Sequence, residues 1–260
     1  MTTAEFIIAL FCRIDHHLDS VPKHPQAALY PSEAVTLGVL YVLKGGSKRA
    51  FYRWLCRDWH PFFPRLPERT RLFRLLAAHR AWTQAFHAAP SVLGVIDSYG
   101  IELIHPVRER RSARWSRKGY SNRRWIVGGT WCVVVNQWGL IVDWDCNTAN
   151  VHDSVFQPLI RRWEQTMILL SDQGFHCAKG DPPNLKVCRR KTWGDRMVVE
   201  TVFSMLTRLG HFKQQTHRAP AYLAAHLGLA VAAFNLLVQW HGLQPDEHGF
   251  VKLSIAPFSL

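Results

Sequence analysis

The spacing of hydrophobic residues divides the chain into three stretches. From residue 1 to about 88, apolar residues recur at helical spacing without long β-branched runs, which predicts an all-helical segment. Apolar runs rich in Val, Ile and Leu follow, at "VLGVID", "RWIVGGTWCVVVN", "GLIVDWDCN" and "MILLS", and they predict strands. Helical spacing returns between Trp193 and Trp240. The pattern therefore predicts an α/β protein with an N-terminal all-helical domain.

The N-terminal stretch contains a pair of helices separated by two glycines. Ser32 is the expected N-cap of a helix that continues to Lys44, and Gly45 and Gly46 end it. Ser47 is the expected cap of a second, basic helix. The basic residues of this helix include Lys48, Arg49 and Arg53. Such a pair is typical of a DNA-binding helix-turn-helix, and a small helical bundle is the alternative.

The strand-forming runs indicate one mixed sheet. The short turn "QWG" between the second and third runs predicts a hairpin beside the strand that contains Asp97. A helix is expected from about Asp153 to Glu164, then a strand ending at Asp172, and a short strand near Val187. The expected order of elements is three strands, a helix, a strand, a loop, a strand and a helix. This order is typical of a ribonuclease H-like mixed sheet flanked by helices. This order predicts a helical domain (1–88), a ribonuclease H-like domain (89–245) and a C-terminal tail (246–260).

The charge balance indicates which partners the protein could bind. The 260 residues include 32 Lys and Arg against 19 Asp and Glu, a formal net charge of +13. Such an excess favours contact with a polyphosphate, and solubility alone is the alternative. The stretch from Arg108 to Arg124 is among the densest, and Trp115, Tyr120 and Trp125 alternate with or adjoin its basic residues. The basic candidates for DNA contact here are Arg117, Lys118, Arg123 and Arg124.

This basic stretch could follow a DNA backbone, with its aromatic residues available to stack on an unpaired base. A solvated loop between strands is the alternative interpretation.

Other classes of protein are disfavoured. The six cysteines form no CxxC pair and are expected to be reduced thiols, and no compact His and Cys set predicts a zinc site. We find no secretion signal pattern at the N-terminus. The longest apolar run, from Leu223 to Trp240, is interrupted by His226 and Asn235 and is expected to be a buried helix rather than a membrane span. The prediction is a cytoplasmic protein without membrane contact.

Three acidic residues lie in apolar surroundings. Asp97 and Asp172 each follow a predicted strand, and if the strands are neighbours their carboxylates emerge at one edge of the sheet. Glu200 belongs to a predicted helix with an apolar side. Three acids so placed would repel one another unless divalent cations neutralised them, and Mg²⁺ prefers carboxylate oxygens. Taken singly, Asp97 and Asp172 are equally typical of turns, and Glu200 is equally typical of a solvated helix position.

Further acids are weaker candidates. Asp143 and Asp145 alternate along a predicted strand, which favours a solvated strand face. Asp153 precedes a predicted helix and is expected to compensate the helix dipole, with metal binding held in reserve.

Four stretches together resemble the DDE transposases of bacterial insertion sequences. They are "VIDS" at Asp97, "NTANVHDS", "LLSDQGF" at Asp172 and "RMVVETVFSMLTRLGHFKQQTHRA" at Glu200. The resemblance runs from about Tyr30 to Trp240 and is to short members with a helical DNA-binding part and an uninterrupted catalytic domain. It implies a ribonuclease H-like domain that cleaves and joins DNA ends.

The resemblance assigns roles to particular residues. Asp97, Asp172 and Glu200 would be catalytic and would bind two Mg²⁺ ions, or Mn²⁺ in their place. Arg196, one helical turn before the glutamate, would hold a DNA phosphate. The family often has a lysine about two turns after the glutamate, where this chain has Thr207, and Arg208 and Lys213 are the candidate replacements.

The implied partners are double-stranded DNA, as terminal inverted repeats and target, and a second copy of the chain in a synaptic complex. Glu200 follows Asp172 by only 28 residues, which is short for these enzymes. The alternatives are therefore a catalytically impaired transposase that still binds DNA, and a metal-dependent nuclease that does not join strands.

Overall fold

A computed structural model of the chain describes residues 1–109, 117–121, 124–188, 196–212, 219–243, 253–255 and 258. The helices among them are α1 (Thr3–His17), α2 (Pro31–Lys44), α3 (Lys48–Trp54), α4 (Arg69–Ala78), α5 (Gln157–Arg161), α6 (Arg196–Leu209) and α7 (Pro220–His241). The strands are β1 (Leu93–Ile104), β2 (Lys118–Ser121), β3 (Arg124–Asn136), β4 (Ile141–Thr148), β5 (Ile168–Ser171) and β6 (Leu185–Val187). The predicted α/β class is confirmed.

The strands form one mixed sheet. β3 pairs antiparallel with β1 along one edge and with both β4 and β2 along the other. β1 pairs in parallel with β5, and β5 pairs in parallel with β6. The main path is therefore β2-β3-β1-β5-β6, with β4 beside β3. β1 has strands on both sides, so its side chains lie near the middle of the sheet.

The β3–β4 hairpin was predicted and is confirmed. Asn136 accepts hydrogen bonds through Oδ1 from the backbone N–H groups of Trp138 (3.1 Å) and Leu140 (3.0 Å), which closes the turn. Gly139 has φ +79°, a conformation that favours glycine. The hairpin is thus specified locally.

Two strands differ from expectation. β1 does not end at Asp97 but continues to Ile104, because its backbone stays paired with β3 through Ile101 and beyond. The basic stretch was interpreted either as a DNA contact or as a solvated loop between strands. Lys118–Ser121 of this stretch forms strand β2, which pairs with β3. Gly119 permits this pairing, since a Cβ there would collide with the Ala149 carbonyl of the chain that follows β4.

The two faces of the sheet have separate hydrophobic cores. Side chains alternate along β3, so Trp131, Val133 and Val135 join the core formed with the larger helices. Cys132 and Val134 join a smaller core on the other face, with residues of α5 and its flanking segments. Instead of one helix from Asp153 to Glu164, a 3₁₀ segment, Asp153–Phe156, leads into the short α5.

Helix α7 is buried on nearly all sides. It packs against α2, α4 and the 3₁₀ segment Arg80–Phe86, and also against α6 and β4. Among the described residues it is the one helix long and apolar enough to cross a membrane, but 83% of its apolar window is buried inside the protein. Such burial is typical of a core helix in a soluble protein.

One polar side chain ties α7 to its surroundings. Asn235 is fully buried, and its Oδ1 accepts a hydrogen bond from the backbone N–H of Ile141 (2.9 Å). Its Nδ2 donates to the carbonyls of Ile141 (2.7 Å) and Phe86 (2.8 Å). The amide therefore joins α7 both to β4 and to the end of the N-terminal helical segment.

The N-terminal pair of helices is present, with one correction. Tyr30, not Ser32, is the N-cap of α2: Pro31 begins the helix, and Glu33 accepts a hydrogen bond from the Tyr30 N–H (2.7 Å). Pro31 is pre-set for the first helical position, and Ser32 is buried inside the helix. Ser47 caps α3 as predicted, since its hydroxyl accepts from the Ala50 N–H (3.1 Å).

The rest of the all-helical stretch contains α4, capped by Glu68, and the 3₁₀ segment Arg80–Phe86. The domain boundary near residue 88 stays a prediction. Residues of the N-terminal helices and of the sheet contribute to one continuous core.

Replacing Asn235 by Leu should destabilise the protein strongly. The substitution keeps the branched shape of the side chain but removes the amide that pairs the buried Ile141 N–H and Phe86 carbonyl. Leaving such groups without partners costs about 1–3 kcal/mol each, so we expect a loss of about 2–6 kcal/mol in the free energy of unfolding. Denaturant titration followed by circular dichroism measures it.

The matched control is Gln239→Ala, an exposed position on the same helix. It should change the free energy of unfolding by less than about 0.5 kcal/mol. Equal stability of the Asn235→Leu variant and the wild type would contradict the role given to this amide.

Candidate active site

Asp97 lies within the central strand of the sheet. It is opposite Val133 of β3, and its side chain is partly buried. Its Oδ1 accepts a hydrogen bond from the following N–H, of Ser98 (2.8 Å). The expectation that Asp97 ends a strand was wrong, because it lies inside β1, which has strands on both sides.

Asp172 directly follows β5, as predicted, and is also partly buried. Its Oδ1 accepts a hydrogen bond from the Gly174 N–H (2.9 Å), which caps a short 3₁₀ turn. The parallel register pairs Val95 with Leu170. Asp97 and Asp172 each lie two residues beyond this last recorded pair. The two acids therefore follow the paired part of β1 and β5 at the same end, and both line the cleft described below.

Glu200 comes from α6, whose apolar side packs on the sheet. Val199, Val202 and Leu206 of this helix are fully buried, and Phe203 stacks on Tyr99 of β1 with ring centroids 5.5 Å apart. Glu200 itself is exposed, in contrast to the apolar neighbourhood that the sequence suggested. The packing of α6 nevertheless turns it toward the cleft described next.

An open cleft of about 920 Å³ lies between β1, the end of β5 and α6. Asp97, Asp172 and Glu200, the three acids singled out from the sequence, all line it. Its other lining residues include Ser98, Tyr99, Tyr120, His152, Asp153, Phe203, Arg208 and His211. The structure therefore places the three predicted acids along one surface, although they come from distant parts of the chain.

Asp153 is a fourth acid of this cleft, and its importance was underestimated from the sequence. Ser98 donates a hydrogen bond through its hydroxyl to Asp153 Oδ1 (2.7 Å). A Cβ on Gly174 would lie 2.9 Å from Asp153 Oδ2 and 3.0 Å from Asp172 Oδ1. The missing side chain of Gly174 thus leaves room for two neighbouring carboxylates. The available signal was the motif "VHDS", interpreted mainly as a helix start.

The cleft concentrates negative charge. Burial raises the pKa of the Asp153 carboxyl, and the charge of Asp172 adds to the rise, while the Ser98 hydroxyl and His152 oppose it. Cys132, fully buried in the neighbouring strand, has a thiol pKa raised well above its usual value, first by burial and then by Asp153 and Asp97. A positive ligand in the cleft would relieve this unfavourable charge.

The donor chemistry of the cleft fits a hard divalent cation. Carboxylate and hydroxyl oxygens are what Mg²⁺ prefers, and Gly174 leaves space beside Asp153 and Asp172. Among the described parts of the chain, however, no group of three or more His, Cys, Asp or Glu side chains is close enough to hold an ion. Binding would therefore require the acids to converge, for which the exposed side chain of Glu200 is best suited.

The basic residues proposed to contact DNA have different surroundings. Arg208 is exposed and lines the cleft, and Arg196 begins α6. Arg117 and Lys118 are exposed on or beside β2, whereas Arg124 approaches Glu102 (Nη1–Oε2 3.6 Å). Arg123 and Lys213 lie outside the described residues.

The basic residues of α3 are divided between surface and interior. Arg49 and Arg53 are exposed. Lys48 instead places its ammonium 3.8 Å from the ring centroid of Tyr222 and 5.0 Å from that of Phe73, and burial lowers its pKa. Lys48 is therefore engaged with aromatic rings of α4 and α7.

No protein-family model, curated protein or solved structure matches this chain.

Asp143 requires a correction, because it does not lie on a solvated face. It is buried on β4, where its Oδ2 accepts hydrogen bonds from Arg162 Nη1 (3.1 Å) and Trp163 Nε1 (3.2 Å). Asp145 is the exposed one of the two and lies outside the cleft lining. Asp143 thus anchors the segment after α5 to the sheet.

Replacing Asp153 by Asn should stabilise the protein when no divalent cation is present. A carboxyl whose pKa is raised by folding makes the folded state less stable as the pH rises through its titration range. The variant should therefore have the higher Tm at pH 7, and the difference should disappear below about pH 3, where the wild-type carboxyl is protonated. Thermal unfolding in EDTA across this pH range measures it.

The matched control is Asp145→Asn, which removes an exposed carboxylate of β4. It should leave the pH dependence of Tm essentially as in the wild type. A lower Tm for Asp153→Asn at pH 7 would contradict the conclusion that the charged form of Asp153 is unfavourable in the cleft.

Proposed function

We propose that the chain is a DNA transposase that cleaves and joins the ends of an insertion sequence. The observation that carries the proposal is the single cleft lined by Asp97, Asp172 and Glu200. These are the three acids at which the sequence resembles DDE transposases. Elements β1, β5 and α6 bring them to this cleft although 103 positions separate the first acid from the last.

The sheet supports a ribonuclease H-like catalytic domain. Its first long strands, β1, β3 and β4, are antiparallel, and β5 and β6 then add in parallel on the other side of β1. The order of the elements along the chain, three strands, a helix, a strand, a loop, a strand and a helix, is the one predicted from the sequence, with β2 as an addition. We propose that the domain holds its catalytic acids on the central strand, after β5 and on α6.

The acids would hold Mg²⁺, or Mn²⁺ in its place, in a site for two ions. When bound, such ions activate the attacking hydroxyl and stabilise the leaving 3′-oxygen at phosphorus. Asp97, Asp172 and Glu200 would be the ligands, and Asp153 would hold Ser98, the residue after Asp97 in β1, through its hydrogen bond. Arg208, exposed at the cleft, would bind a DNA phosphate.

The N-terminal helices would recognise the terminal repeats. We propose that α2 and α3, joined by the Gly45–Gly46 turn, act as a helix-turn-helix, with Arg49 and Arg53 facing the duplex. His211 connects this unit with the cleft: it lines the cleft and contacts Gly45. DNA held by α3 would therefore lie beside the acids.

The proposed enzyme would act as a homodimer or larger assembly on paired DNA ends. It would be located in the bacterial cytoplasm and associate with the nucleoid through DNA.

A second candidate is a DNA-binding protein derived from such an enzyme. Two observations support it. Among the described residues no three acids are close enough to hold an ion, and the chain has Thr207 where the family often has a lysine. A metal-dependent nuclease would share the acids but would produce only free ends.

Strand cleavage and joining test the proposal. The substrate is DNA that carries the ends of the element encoding the protein, incubated with Mg²⁺ or with EDTA. The wild type should nick the ends only with Mg²⁺ and join them to a target. Asp97→Asn and Glu200→Gln should each reduce cleavage at least about a hundredfold, because each removes a metal ligand.

Asp145→Asn is the control, since this carboxylate is exposed outside the cleft lining, and it should retain cleavage. Specific binding without any nicking would identify the DNA-binding alternative. Free ends without joined products would identify the nuclease. Full Mg²⁺-dependent cleavage by Asp97→Asn would refute the catalytic role of the cleft.

A further inference from the structure

Two large aromatic side chains are exposed side by side on the β2–β3 pair. Tyr120 and Trp125 are cross-strand partners, with 63% and 56% of their surfaces exposed. Their ring centroids are 5.4 Å apart, with an angle of 70° between the ring planes. The two rings pack against each other, but much of their aromatic surface is exposed to water. Exposed aromatic surface of this kind is typical of an interaction site.

The pair is positioned beside the acidic cleft. Tyr120 and its neighbour Ser121 belong to the cleft lining that also contains Asp97 and Glu200. β2 is held there closely: Gly119 contacts the Ala149 carbonyl, and Ser121 contacts Gly100 of β1. Because β2 is paired and packed, Tyr120 has a fixed backbone next to the proposed reaction centre.

The charge around the pair is positive. The Lys118 ammonium lies 5.0 Å from the centroid of the Trp125 ring, and the neighbouring Arg117 is exposed. Cationic side chains beside exposed aromatic faces disfavour a purely apolar partner. They suit a ligand that combines a flat aromatic group with an anionic linkage, which is a nucleotide.

The geometry points to an unpaired nucleotide. We propose that Tyr120 and Trp125 stack an unpaired base of the DNA strand whose phosphate enters the acidic cleft, while Lys118 binds the adjoining phosphate. Bases within a duplex are stacked on both faces, so only an unpaired or terminal base offers a face to a protein ring. This inference rests on the proposed function and adds to it that the DNA is opened next to the cleavage site.

Binding to two DNAs tests the inference. One is a blunt duplex, and the other is the same duplex with a short single-stranded extension that carries the fluorescent base 2-aminopurine. EDTA is present, so no cleavage enters the measurement. The wild type should bind the extended DNA more tightly than the blunt one and should quench the 2-aminopurine emission through stacking.

Tyr120→Ala and Trp125→Ala should each weaken binding of the extended DNA by about fivefold to a hundredfold, the range typical of base stacking on aromatic residues. Each should change binding of the blunt duplex less than about twofold and should abolish quenching. Tyr120→Phe, which keeps the ring, should retain both the preference and the quenching. Circular dichroism establishes that the variants are folded.

Trp138→Ala is the matched control, because Trp138 is also exposed (41%) but follows the opposite end of β3. Equal affinity of the wild type for the two DNAs, or an equal loss in Trp138→Ala, overturns the inference. A protein that stacks the base but never cleaves DNA with Mg²⁺ would refute the proposed function alone. A protein that cleaves DNA but shows no preference for the extension would refute this inference alone.

Discussion

The burial of α7 is the constraint on which the rest of the structure depends. This helix is apolar around its whole circumference, so it must be covered on all sides, and the N-terminal helices and the sheet supply that cover. Its fully buried Asn235 would be costly without partners, and it finds them in Ile141 of β4 and Phe86. The same helix therefore fixes the helical segment, the sheet and α6 relative to one another.

The cleft is a consequence of that arrangement. β1 is held between β3 and β5, and Asp97 and Asp172 each lie two residues beyond the last recorded pair of the parallel β1–β5 register. α6 packs on β1 through Phe203 and Tyr99, which places Glu200 over the same opening. Burial, and to a smaller extent the charge of Asp172, raises the pKa of the Asp153 carboxyl, so its charged form is unfavourable in this cleft without a positive partner. In the proposed function, the cleft would accept this loss of stability in return for binding a cation.

Features with a local cause were predictable from the sequence, and those that depend on distant residues were not. The β3–β4 hairpin, the Ser47 cap, the acid after β5 and the buried side of α6 follow from turn chemistry and spacing. The course of β1 beyond Asp97 depends on pairing with β3, and Asp143 is buried because Arg162 and Trp163 reach it. β2 depends on contacts of Gly119 with the segment after β4, and the place of Asp153 depends on Ser98, 55 residues earlier. No local pattern contains that information.

In the proposed site, the acids of the cleft together bind a divalent cation. Mn²⁺ binding to the protein without DNA, measured from the loss of the free-ion signal in electron paramagnetic resonance, tests this. We predict that the wild type binds Mn²⁺, that Asp172→Asn binds it at least about tenfold more weakly, and that Asp145→Asn binds it like the wild type. Equal binding by all three proteins would contradict the account.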